Sequence, residues 1–192
     1  GETLVNMQDL DMVVGSGGVL SHAPRREQAC KILIDSFLPE GITELSVDSI
    51  FMMPQLGVLA SVNERAAIEV FNKDCLVRLG TCIAPNGEGE IGQEMLDYTI
   101  FVEGEKHTGT LKYGEMKVIK AKYIECKASF NLKGNFSIQN ESIFESSVYG
   151  GEVGIVLDGR GRPFNFNMNT QNRKSLIDNW RNAINEYPNL EM

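Results

Sequence analysis

Histidine is scarce in this chain: His22 and His107 are the only two, and they stand far apart. That is too few for a histidine-based metal cluster. His22 follows a glycine turn, where it can touch a ligand or serve as a polar residue satisfied at a helix start. The four cysteines, Cys30, Cys75, Cys82 and Cys126, include no Cys-x-x-Cys pair, which removes the usual zinc and redox spacings. Each lies in an apolar stretch, so the expectation is buried free thiols, in keeping with a reducing cytoplasm. No apolar run approaches the length of a membrane span. The whole-chain balance is acidic: the formal net charge is −8 and the acidic excess is spread over both halves, against a nucleic-acid partner. No Ser-His-Asp set and no pair of catalytic carboxylates stands out, so hydrolase and metalloenzyme readings lack support. Internal repeats and low-complexity tracts are missing too. The opening Gly1-Glu2-Thr3 has neither the basic region nor the apolar core of a signal peptide. The lack of an initiator methionine points to a truncated or processed chain.

What is present is a glycine turn between an apolar strand and a helix, Asp11-Met12-Val13-Val14-Gly15-Ser16-Gly17-Gly18-Val19-Leu20. Three glycines in four positions permit positive φ and close backbone approach without a Cβ clash. A helix starting there points its free N–H groups into the turn. No Lys follows in the phosphate-loop pattern, and Leu20 stands where the dinucleotide fingerprint wants a small residue. The turn is of the nucleotide type without a complete motif, and plain strand-to-helix geometry is the alternative.

The first 80 residues alternate strands and helices. Ala29, Cys30, Leu33, Ile34 and Phe37 form one helical stripe, ended by Pro39 and Gly41. Glu44 to Asp48 reads as a strand, Met52-Met53-Pro54 opens a helical stretch, and Asn63 caps another. In that further helix Ala66, Ala67, Val70 and Phe71 are expected to face inward, and Cys75 to Ile83 reads as a strand. The alternation predicts an α/β layer with a largely parallel sheet. Pro85 to Glu90 reads as a linker or exposed loop. Beyond it Phe130, Leu132, Phe136 and Ile138 alternate with polar residues, so residues 93–168 are expected to hold six or so short strands. One amphipathic helix closes the chain, with Leu176, Ile177, Trp180, Ala183 and Ile184 on one side and Pro188 after its end.

Two segments together carry a family resemblance: Val13 to Ala23, with the glycine turn, and Gly151-Glu152-Val153-Gly154-Ile155-Val156-Leu157-Asp158-Gly159-Arg160-Gly161-Arg162-Pro163. Val47-Asp48 and Pro54 to Ala60 fall between them in the expected order. The chain resembles the C-terminal part of the glutamate mutase L family (MutL or GlmL, distinct from the mismatch-repair protein of the same short name). That family is similar to the actin, Hsp70 and sugar-kinase ATPases. The resemblance implies that residues 1–83 are part of an actin-like nucleotide-binding domain; with the periodicities above, the expected fold is α/β, that part followed by a β-rich unit over 84–170 and a C-terminal helix over 171–192. It implies ATP-dependent reactivation of an adenosylcobalamin-dependent mutase of the glutamate mutase or ornithine aminomutase type. The implied cofactors are ATP and Mg²⁺, and the implied partners are the mutase subunits and an adenine nucleotide, with no nucleic acid and no membrane. Position by position, Gly15, Gly17 and Gly18 are the candidates for nucleotide contact, and Ser16 can add a side-chain hydrogen bond. Related ATPases also need an Asp-x-Gly-x-Thr phosphate segment and a second acidic one. Neither is found here, so this chain alone is not expected to hydrolyse ATP. The alternative is a non-enzymatic binding or scaffolding module whose glycine turn is purely structural.

Other residues invite two readings. Asp158 to Pro163 can bind phosphate or a partner carboxylate through its arginines, or form a hairpin whose arginines face water, which the Asp-Gly turn favours. Lys117, Lys120, Lys122 and Lys127 read as a solvated strand edge. Asp48, at a strand's carboxyl end, can face a ribose or a metal-bound water; capping the next helix is the favoured reading. Met52 and Met53 are expected in the core.

Overall fold

The structure, a computed structural model, describes residues 7–165 and 170–188. Among the described residues nine strands form two sheets. In chain order they are β1 (Met12–Gly15), β2 (Gly41–Asp48), β3 (Leu76–Ala84), β4 (Glu94–Val102), β5 (Glu105–Lys112), β6 (Met116–Ile119), β7 (Glu125–Leu132), β8 (Ile143–Tyr149) and β9 (Gly154–Asp158). The helices are α1 (Gly18–Ser21), α2 (Arg26–Phe37), α3 (Met53–Val70) and α4 (Thr170–Ile184). The first sheet has the order β1-β2-β3-β9-β6 and the second β5-β4-β7-β8.

The first sheet is the middle layer. On one face Val13, Leu45, Leu79, Cys82 and Val156 meet Leu33 and Ile34 of α2 and Trp180 and Ile184 of α4. On the other, Ile83, Ile119, Ile155 and Leu157 meet Ile100, Leu111, Phe130 and Val148 of the second sheet. Successive strand residues point to opposite faces, so a strand in the middle layer must be apolar on both. This explains why every residue of β9 is buried. The outer sheet has one wet face, and β7 accordingly alternates from exposed Glu125 to buried Leu132.

The expected parallel sheet is mixed instead. β1–β2 and β3–β9 pair in parallel, while β2–β3 and β6–β9 are antiparallel. The two strands β6 and β9 come from the later, β-rich stretch, which therefore contributes to both sheets. Residues 128–139 are strand and turn, as their period-2 alternation requires, and Phe136 and Ile138 remain buried after β7 has ended. Of residues 85–90, expected as a linker or exposed loop, Glu88 and Glu90 are exposed but residues 85–87 are tied into the fold. Pro85 is buried, Asn86 exchanges backbone hydrogen bonds with Ser137 (2.8 and 3.0 Å), and the Gly87 amide donates to the Arg162 carbonyl at 2.8 Å.

Asn63 behaves as its sequence position implies. It breaks α3 with φ −150° and ψ 89°, and its Oδ1 accepts the Ala66 amide at 3.0 Å, capping the second half of the helix. Only Ala67 of the expected inward set is buried there, and Val70 is exposed. Phe37, at the end of the α2 stripe, is 49% exposed, because the chain turns away at Leu38 in a left-handed conformation. Met53 is also exposed. The lysines do not share one edge: Lys117 lies on edge strand β6, whereas Lys127 sits on the solvent face of interior strand β7.

Candidate functional site

β1 and β2 are adjacent and parallel, with Gly15 beside Val47, so their carboxyl ends open at the same end of the sheet. Ligands of open α/β sheets bind outside such ends. The glycine turn leaves β1 there, and the loop 49–52 leaves β2.

The three turn glycines have different physical roles. Gly15 is buried, and a Cβ on it would meet Leu20 Cδ1 at 2.5 Å and Leu33 Cδ2 at 2.7 Å. Its missing side chain lets the helical layer close on β1. Gly17 has φ +108°, a conformation that side chains rarely adopt, with open space around it. Gly18 has no such constraint, is exposed, and a Cβ on it would meet nothing within 4 Å. The Gly17 carbonyl accepts the amides of Leu20 (3.1 Å) and Ser21 (2.9 Å), which starts α1.

Asp48 ties the turn to the β2 loop. Its Oδ1 accepts the Met52 amide (3.1 Å), and its Oδ2 accepts the Met53 amide (2.9 Å) and the Ser16 hydroxyl (3.3 Å). The Ser21 hydroxyl donates to the Asp48 carbonyl at 2.5 Å. Burial pushes this carboxyl up, but the amides of Met53, Met52 and Ile50 and the Ser16 hydroxyl outweigh it and hold it below its ordinary range. Asp48 thus caps α3, as favoured from the sequence, and both its oxygens are engaged. Among the described residues no three His, Cys, Asp or Glu side chains converge as a metal site would require. Gly17 and Gly18 leave open backbone at this end of the sheet, and the residues here supply no donor set for Mg²⁺. Val19, Ile50 and Phe51, in the segments flanking the opening, are exposed apolar side chains.

The second conspicuous cluster overturns the water-facing hairpin. Asp158 is fully buried, and Arg160 and Arg162 are each 2% exposed. Arg160 places Nε on Asp158 Oδ1 and Nη2 on Asp158 Oδ2, both at 2.8 Å, and Nη1 on Asp35 Oδ1 at 2.7 Å. Arg162 donates Nη2 to Asp158 Oδ2 (2.8 Å) and Nε to the Pro39 carbonyl (2.9 Å). The arginines bind carboxylates, but the chain's own. Burial alone would raise the Asp158 carboxyl; the two guanidinium charges hold it far below its ordinary value. Sequence reasoning missed this cluster. The available signal was charge at spacing two, beginning on the last residue of an otherwise apolar strand.

All four cysteines are buried and free. Burial and then the Asp158 charge push the Cys82 thiol up to about 12. A thiol reagent at about pH 8 is expected to label none of the four in the native protein and all four after denaturation. Labelling of even one at the unfolded rate, followed by mass spectrometry, would contradict the burial. The raised thiols favour folding below their unfolded pKa, and that contribution falls away as pH rises through the folded one.

The family model described as MutL protein, the glutamate mutase L family, matches residues 3–75, the N-terminal part of the chain. The match takes in the glycine turn, Asp48 and α3, and ends before β3. No curated protein and no solved structure matches the chain. No helix among the described residues is long and apolar enough to cross a membrane.

Proposed function

We propose that this chain is the nucleotide-contacting part of an ATP-dependent factor that reactivates an adenosylcobalamin-dependent mutase. The family match over residues 3–75 connects it with glutamate mutase. The observation that carries the nucleotide reading is the open space at Gly17 and Gly18, at the shared carboxyl end of two parallel strands. Ser16, Gly17 and Gly18 form the contact surface, and Gly15 permits it by letting α2 close behind the turn. Asp48 holds the turn and the β2 loop together through Ser16 and Ser21. Phosphate and Mg²⁺ chemistry is assigned to no residue of this chain. A reactivator shifts its partner only as far as ATP binds its two states differently, so the turn's contribution is affinity and coupling.

The test is Gly18→Val in the intact protein. Nothing in the fold occupies the space its side chain would enter, so the unfolding midpoint should stay close to the parent's. Calorimetric ATP affinity should fall about tenfold or more, the loss of roughly 1.4 kcal/mol of contact. Gly17→Val is a poorer probe, because its φ of +108° penalises any side chain. If Gly18→Val binds ATP like the parent, the turn is structural and the scaffolding reading takes over. One observation favours that second reading: Val58 and Val62 of α3 are 72% and 86% exposed, an apolar surface suited to docking a protein.

A further inference from the structure

A second opening lies at the other end of the first sheet. Gly41 begins β2 beside Ala84, and Leu157 of β9 pairs with Ile83, so β9 finishes where β2 starts. There α2 also ends, and α4 packs alongside. Between the two helices is a cleft of about 730 Å³, within the size range of small-molecule sites. It is separate from the glycine turn, which sits at the opposite ends of β1 and β2.

We infer that this cleft binds a small organic anion, a carboxylate or phosphate group carried on an aromatic or apolar body. Its lining holds four cations, Lys31, Arg160, Arg173 and Arg181, against two carboxylates, Asp35 and Glu186. That is a local positive excess on a chain of net charge −8. Asp158 beneath it does not cancel the excess, because Arg162 pairs with the same carboxylate. Arg160 forms a fixed floor. Asp158 and Asp35 hold its guanidinium, and the rings of Phe164 and Trp180 each lie 5.2 Å from it. These bonds use one N–H on each Nη, and each Nη carries a second N–H with no acceptor among the described residues. Arg173 on α4 has no ionic partner among the described residues. Lys31 and Arg181, by contrast, are paired with Asp35 and Glu186. Ile32, Ile177 and the Trp180 ring supply an apolar wall for the ligand body. A pre-placed guanidinium loses little freedom on binding, which favours an anion here over one at a loose surface arginine.

Trp180 is the chain's one tryptophan and lines the cleft, so its fluorescence reports on binding there. The full chain is titrated with phenyl phosphate, with phenylacetate and with neutral phenylacetamide. At least one anion should give a saturable change in emission, weakening as salt is added, and the amide should give none. A response to phenyl phosphate alone assigns a phosphorylated ligand, and one to phenylacetate alone assigns a carboxylate. Arg173→Gln should weaken binding about fivefold or more, and Arg173→Lys should retain most of it. Gly18→Val should leave the titration unchanged, which separates this site from the glycine turn. The inference fails if neither anion saturates by about 10 mM, if the amide binds equally well, or if neither salt nor Arg173→Gln changes the affinity.

Discussion

Asp158→Asn is expected to cost about 3–5 kcal/mol of folding stability, the usual penalty for removing one partner of a buried ion pair. Asparagine keeps the shape but removes the charge that balances Arg160 and Arg162. Of the two guanidiniums, each 2% exposed, Arg160 then keeps Asp35 and Arg162 keeps no carboxylate among the described residues. Arg162 is shut off from the cleft and Arg160 meets water only through its floor, so solvation compensates little, and a guanidinium does not lose its proton. A domain of this kind is stable by about 5–15 kcal/mol, so the midpoint of denaturant unfolding should drop sharply. Replacing Asp158, Arg160 and Arg162 together by apolar residues of similar size should cost less than the single change, because no charge is stranded. The pH dependence has a definite sign. The Asp158 carboxyl is depressed in the folded state, so its contribution is present above the ordinary carboxylate pKa of about 3.9 and is lost progressively as pH falls from there through the depressed folded value. Asp158→Asn should therefore show a shallower loss of stability on acidification. A variant within about 1 kcal/mol of the parent would mean that the cluster is solvated in solution.

Phe130→Ala should be comparably damaging, about 3–5 kcal/mol. Phe130 is 1% exposed, at the middle of the core between the sheets. It stands opposite Tyr98 of β4 and Phe144 of β8, so one aromatic row crosses three strands on the core-facing side. Truncation leaves a hole that neither neighbour can fill without moving its strand. Asn131→Ala, the next residue on the same strand, points to solvent and should change stability by no more than about 0.5 kcal/mol. Equal effects from the two variants would contradict the assigned register of β7.

Much of the local structure was legible in the residues themselves. The alternation around Phe130 and Leu132 determines a half-buried strand, because side chains on a strand repeat every second residue. The stripe of Ala29, Cys30, Leu33 and Ile34 determines a buried helix face. Asn63 and Asp48 could be read as caps, since a carbonyl or carboxylate oxygen at a helix start answers amides within a few residues of it. The glycine turn could be located, and Gly17 needs glycine for a reason local to its own φ. All of these depend on neighbours a few positions away.

Only the tertiary structure decided the rest. No local pattern tells β9 to pair with β3, or sends β6 and β9 into the first sheet while their sequence neighbours build the second. That choice mixes a sheet expected to be parallel. The role of Gly15 came from Leu33, on a helix that packs back over the turn. The arginines after Asp158 read as exposed because charge at a tight turn usually faces water. They are buried because Asp35 lies 125 positions earlier in the chain, and Leu38 and Pro39 offer their carbonyls beside it. A buried charge is stable only where partners converge on it, and partners so distant in sequence are brought together by the fold alone.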